Sequence, residues 1–288
     1  MDIKFGPSGN SDSFYEEGYR ASSEMPKWLA RRGLNAYEYS MTKGVRLKED
    51  TARTIGEQAR INGIYLSIHA PYYINLGNPD PEKRERSKKY ILDTLMAADW
   101  MGAHRIVIHP GSVGKLPREK AFEIALNAFE ETLDLIYKKQ LDHAILCPET
   151  LGKKNQLGTL EEIIQLSKLD QRVIPTIDFG HIHARNGGNL NSKEDFLNII
   201  QRLEEGIGIE RTKKLHIHFS RIEYTNAGEK KHWTYADEEY GPNFDPLAEV
   251  LIEKEMTPII ICESRGTMAE DALILKKIYH RIKSTKEF

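Results

Sequence analysis

The sequence predicts a single-domain α/β protein of the (β/α)8, or TIM barrel, class, and three observations support that prediction. Short apolar runs alternate eight times with longer amphipathic segments, from one end of the chain to the other, as a parallel barrel requires. A length of 288 residues is normal for one such barrel. The rival, a doubly wound open sheet, would show a Gly-x-Gly-x-x-Gly turn after a strand, and no run here is followed by one.

Taken in order, Ile3–Phe5 is read as the first strand and Glu24–Arg32 as a helix. Ala36–Tyr39 is the second strand, followed by the helical segment Glu49–Ile61. Ile64–His69 is the third. After it, Ser87–Met101 sets Tyr90, Ile91, Leu95 and Ala98 on one stripe. Arg105–His109 is the fourth, and Glu119–Tyr137 then repeats the helical period through Phe122, Leu126, Phe129 and Leu133. Ala144–Pro148 is the fifth. Thr159, with Glu162 three residues on, forms a capping box for the helix Leu160–Leu169. Pro175–Asp178, Leu215–Phe219 and Pro258–Glu263 complete the strands, with helices at Ser192–Glu204, Phe244–Glu253 and Ala269–Ile282. The stretch Ser220–Asn243 is too long for a simple turn and reads as a lid or binding loop.

Composition narrows the function classes. A 40% hydrophobic content supports a sizeable core. Cys147 and Cys262, far apart in apolar runs, read as buried thiols of a reducing compartment. No run approaches the roughly 18 apolar residues of a membrane span, and Met1-Asp2-Ile3-Lys4-Phe5 lacks a signal-peptide layout. A cytoplasmic monomer without membrane contact is expected. The net charge of −2 gives no global pull toward nucleic acid, so any polyanion must be held by a local patch.

The strand ends carry the chemistry. The third ends at His69, the fourth at His109, the fifth at Glu149 and the sixth at Asp178, with His181 three residues on. The seventh holds His216 and His218, and the eighth ends at Glu263. In a barrel these ends share one rim, where the site lies. A lone histidine at a strand end is ordinarily a satisfied rim residue, but six consecutive strands each delivering an imidazole or carboxylate are not explained one at a time. Buried unpaired, such groups are costly. Divalent cations remove that cost, and the N/O donor mix suits zinc or manganese. His216 and His218 share a strand face, and His216 is taken as ligand with His218 as substitute or outer partner. His183 is read as an outer partner or as exposed.

These residues carry a family resemblance. His69-Ala-Pro-Tyr72-Tyr-Ile-Asn75-Leu-Gly77, His109-Pro-Gly-Ser112, Glu149-Thr150, Asp178-x-x-His181, the His216 strand and Glu263 resemble the endonuclease IV type of abasic-site endonuclease, within the xylose-isomerase-like barrels. The resemblance implies three zinc ions: Glu149 bridging two, His69 and His109 completing the first, Asp178, His216 and Glu263 the second, and His181 and His232 serving the third. It implies hydrolysis of the phosphodiester 5′ to an abasic site in damaged double-stranded DNA, as in base excision repair, with Glu149 also orienting the attacking hydroxide. Two departures stand out. Where the family carries an Asp two residues before its last histidine ligand, this chain has Lys230, and Glu229 replaces it only if the loop shifts by one residue. Where the family places Gln and Arg in the loop after strand two to enter the base stack, this chain has Ser40-Met41-Thr42-Lys43-Gly44-Val45-Arg46, although Tyr72 matches the other probing residue.

Loop residues on the same face form the expected DNA-binding set: Lys43, Tyr72, Asn75, Lys153, Lys154, Arg185, Arg221, Lys230 and Lys231. Solvated loops also carry such charges, so their value lies in sharing the ligands' rim. The alternative is a single-metal sugar or sugar-phosphate isomerase or epimerase on the same fold. It needs only Glu149, Asp178, His216 and Glu263, and so leaves four imidazoles without a role. A non-catalytic binding barrel has no reason to keep the ligands.

Overall fold

All four residues of Arg105–Ile108 and of Ile259–Cys262 are buried, as in strands covered on both faces. The computed structural model describes residues 2–41 and 44–286. Its eight parallel strands are β1 Lys4–Pro7, β2 Ala36–Ser40, β3 Tyr65–His69, β4 Arg105–Ile108, β5 Ile145–Pro148, β6 Thr176–Asp178, β7 His216–Phe219 and β8 Ile259–Cys262. β2, β3, β4 and β5 pair in sequence order, as do β6, β7, β8 and β1. Two parallel bridges, Ser8 to Glu38 and Glu149 to Thr176, join the two sheets into a closed barrel. At the first seam a Cβ on Gly6 would lie 1.9 Å from the Ala36 carbonyl oxygen, so only glycine fits.

The helices start and stop where their sequences direct. Asp80 caps the helix Pro81–Met101 by accepting from the Glu82 N–H, and Gly102 ends it in the left-handed conformation. Thr159 and Glu162 form the expected capping box. The helices bury their apolar stripes against the strands in one core that includes Phe5, Phe129, Phe196 and Leu251, each such side chain contributing about 2 kcal/mol. Inside the barrel, Ala36, Ile259 and Ile261 form a separate small apolar layer. No helix among the described residues is long and apolar enough to cross a membrane.

Two elements differ from expectation. Phe179–Arg185 is a short helix directly after β6. The stretch read as a lid contains an antiparallel hairpin, Arg221–Thr225 paired with Gly228–Trp233. Its register shifts between Glu223 and Tyr224: Glu223 pairs with Lys231 but Tyr224 pairs with Glu229. Lys230 is the extra residue of a β-bulge.

Candidate metal centre

Each strand end delivers its side chain to one place. Glu149 follows β5, is fully buried, and has a different set of neighbours at each oxygen. Its Oε2 lies 3.3 Å from His69 Nε2 and 3.1 Å from His109 Nε2. Its Oε1 lies 3.0 Å from His218 Nδ1, which is itself 3.5 Å from Glu263 Oε2. Asp178 closes this second set. Its Oδ1 caps the helix Phe179–Arg185 by accepting from the His181 N–H at 2.7 Å. Its Oδ2 is buried without a hydrogen-bond partner, as is Glu149 Oε2.

A third set, His181, His232 and Glu263, lies beside the first two, with Glu229 next to its two histidines. His181 Nε2 is 3.5 Å from Glu229 Oε2, and His232 Nε2 is 3.7 Å from Glu229 Oε1. The bulge produces this arrangement. It turns Lys230 out to pair with Glu223 while Glu229 and His232, on either side of it, both face inward. Glu229 therefore occupies the place that the residue spacing alone gave to Lys230.

The donor chemistry fits divalent cations. His69 Nδ1 donates to the Ala70 carbonyl at 2.8 Å, His181 Nδ1 to the Thr150 carbonyl at 3.0 Å, and His232 Nδ1 pairs with the Ser220 hydroxyl at 2.9 Å. In the neutral ring, the Nε2 of His69 and that of His181 then each present a lone pair to a carboxylate oxygen, an arrangement that only a proton or a cation between them stabilises. Two N or O ligands of one tetrahedral zinc sit about 3.3 Å apart at ordinary bond lengths, close to the separations within the first and third sets.

Protons fill the role when no cation does. Burial would lower His69, but the Glu149 carboxylate outweighs it and pushes the imidazole up to about 9. Burial would raise Glu149, yet the charge of His218 and the adjacent imidazoles of His109 and His181 hold it well below the usual carboxylate range. Burial raises Asp178, with Glu263 and Glu149 adding to the effect of burial.

Several expectations need correction. His218, not His216, reaches Glu149 and Glu263. His216 sits deeper, its Nε2 2.9 Å from Glu38 Oε2. His183 is neither exposed nor beside the cluster: it is buried, accepts from the Leu190 N–H at 3.2 Å, and packs against Tyr224. Four residues expected to meet DNA are committed within the protein. Asn75 links the loops after β3 and β4 through Ser112. Arg185 donates to the carbonyls of Leu151, Lys153, Lys154 and Gln156. Arg221 holds Asn243 and the Asp237 carbonyl, and Lys230 holds Glu223.

The remaining residues of that set surround the opening. Tyr72 is 53% exposed and packs on His69 and His109. Lys153 borders a cavity of about 370 Å³ over the ligands, and Lys231 borders an adjoining one of about 420 Å³ with Arg265. Lys154 is exposed nearby. Lys43 lies outside the described residues. Sequence reasoning missed Glu38, although a carboxylate in the middle of a barrel strand, between two tyrosines, is a signal that it must be paired.

Residues 26–278 match the model of the family described as xylose isomerase-like TIM barrel. The chain belongs to that family. A protein of Methanocaldococcus jannaschii of uncharacterized function is 33% identical over 88% of this chain and 90% of its own length. A probable endonuclease 4 of Aquifex aeolicus is 28% identical, and the match covers 54% of this chain and 56% of the relative. The alignment thus spans about half of that endonuclease. Among solved structures, a D-tagatose 3-epimerase-like protein superposes with a TM-score of 0.76 at 19% identity, covering 99% of this chain and all of that one. Endonuclease IV from Thermus thermophilus superposes with a TM-score of 0.66 at 19% identity, covering 96% of this chain and 98% of that one. These two likenesses are of fold, and the structures so matched are one epimerase-like protein and one endonuclease.

Proposed function

We propose that the protein is a metal-dependent phosphodiester hydrolase that cuts damaged double-stranded DNA 5′ to abasic sites, as in base excision repair. The observation that carries the reading is Glu149, whose two oxygens face separate ligand sets. A carboxylate so placed would serve two cations at once. His69, His109 and Glu149 would hold the first ion; Glu149, Asp178, His218 and Glu263 the second; His181, His232 and Glu229 the third. Zinc suits these donors best, with manganese as a substitute. When bound, such ions lower the pKa of a water to make the nucleophile and hold the phosphate and leaving oxygen. Glu149 would be shared by the first two ions, and Tyr72 covers the face of His69 and His109. Lys153, Lys154 and Lys231 meet the flanking phosphates. The endonuclease relatives favour this reading over others of the family.

A second reading rests on the quartet Glu149, Asp178, His218 and Glu263. That quartet alone completes a single-ion site of the kind a sugar or sugar-phosphate isomerase or epimerase needs, and the epimerase-like fold is similar over the whole chain. It leaves His69, His109, His181 and His232 without work. One preparation assayed in parallel separates the two: a duplex with one abasic site, and a panel of ketoses with their phosphates. Cutting with no sugar turnover supports the hydrolase. Epimerised sugar with an intact duplex and one bound ion overturns it.

A further inference from the structure

Glu38 lies inside the barrel, in register with Ser67 and two residues below the level of His69. It is fully buried, in a position that barrels of this kind normally fill with a branched aliphatic side chain. A carboxylate there costs several kcal/mol unless every lone pair finds a partner. Oε2 accepts from the Ser67 hydroxyl at 2.8 Å and from His216 Nε2 at 2.9 Å. Oε1 lies 3.0 Å from His218 Nε2, which makes no aligned hydrogen bond, and accepts from the Ser8 hydroxyl at 3.5 Å. The other ring nitrogen of His218, Nδ1, is the one that faces Glu149 and Glu263.

His218 therefore stands between a carboxylate below and carboxylates above. Which of its nitrogens can bind a cation depends on where its single proton resides in the neutral ring. We infer that Glu38 is a positioning residue that holds this proton on Nε2 and so turns a bare Nδ1 toward Glu149, Asp178 and Glu263. The inference rests on the metal reading proposed above. His216 and Ser67 are the supports of the device: they occupy Oε2, so the carboxylate cannot rotate away and Oε1 stays under His218. Histidine ligands with such an acceptor behind them bind their metal about 10–100-fold more tightly than those without. The trio of Glu38, His216 and His218 also brings three donors together, but there Glu38 Oε2 is already taken by the Ser67 hydroxyl and His216 Nε2.

The test uses zinc alone, titrated into the full chain against a chromophoric chelator, with Glu38→Gln beside the natural protein. One ion in the variant is expected to bind about 10–100-fold more weakly, with the others unchanged. A crystal structure of the zinc-loaded natural protein is expected to show ligation through His218 Nδ1, with Nε2 on Glu38, and it decides the matter even where Glu38→Gln does not fold. Equal affinity for every ion in the variant overturns the inference, whatever its melting temperature. Ligation through Nε2 also overturns it, as does an ion seated between Glu38 and His216. A natural protein that takes up no zinc removes the metal reading itself, a result distinct from a variant that binds as the natural protein does.

Discussion

Replacing Glu229 by Gln tests whether the bulged hairpin completes a third cation site. The side chain keeps its shape and loses its charge. Its oxygens lie 3.5 and 3.7 Å from the Nε2 atoms of His181 and His232, near the 3.3 Å or so expected for ligands of one zinc. Loss of an outer partner weakens metal binding up to about 100-fold. Loss of a direct anionic ligand should exceed that, more than about 2.8 kcal/mol at 1.4 kcal/mol per tenfold. After dialysis against buffer with a weak chelator, elemental analysis should give three ions per natural chain and two for Glu229→Gln. Lys230→Ala is the control. Lys230 points outward to Glu223 at the surface, where solvent leaves such a pair little weight, and its removal should leave three ions. Three ions in Glu229→Gln, or two in Lys230→Ala, would refute the role assigned to the bulge.

Glu149→Ala should abolish metal-dependent activity and lower the ion count by at least one; full activity with two or more ions retained would show that Glu149 does not bridge. Zinc affinity should climb with pH between about 6.5 and 9, because in the metal-free protein zinc must displace the proton that Glu149 holds on His69. The sign follows from linkage. His69 is raised above its unfolded value, so its contribution to the metal-free fold is complete below about pH 6.5 and is lost as pH rises through about 9. The gap in Tm between zinc-loaded and chelated protein should therefore widen from pH 6.5 to 9, and a constant gap would contradict the assignment. Arg185→Ala should lower stability by about 2 kcal/mol, or about 4 °C in Tm, because it frees loop carbonyls. It should leave the salt dependence of duplex binding unchanged. Lys153→Ala should do the reverse, lowering the slope of log K against log salt by about 1 with little change in Tm.

The eight strands were legible because each is a short apolar run between helix-period segments, and the ligands because they end those runs. What escaped the sequence has physical causes. Alternation along β7 told that His216 and His218 share a face, but not their depth, and two residues of strand are about 6.6 Å of height. That depth puts His218, but not His216, within reach of Glu149. The register of the hairpin depended on a bulge, and a one-residue shift decides whether Glu229 or Lys230 points inward. For the basic loop residues, position along the chain told location but not commitment. Arg185 and Lys153 look alike in a loop, yet the first is held by backbone carbonyls and the second stands free to solvent at the mouth of the cavity. Glu38 was missed because a charged residue in a strand is ordinarily on a wet face, and in a closed barrel β2 has none.

The most direct measurement of the central claim is incision of a duplex carrying one abasic site, followed through a chelator titration with the bound ions counted in the same samples. The expected result is a cut 5′ to the lesion that leaves an extendable 3′-hydroxyl, lost as the ion count falls and restored by zinc. Cutting that persists after every ion has been removed, or an intact duplex with all ions in place, would contradict it.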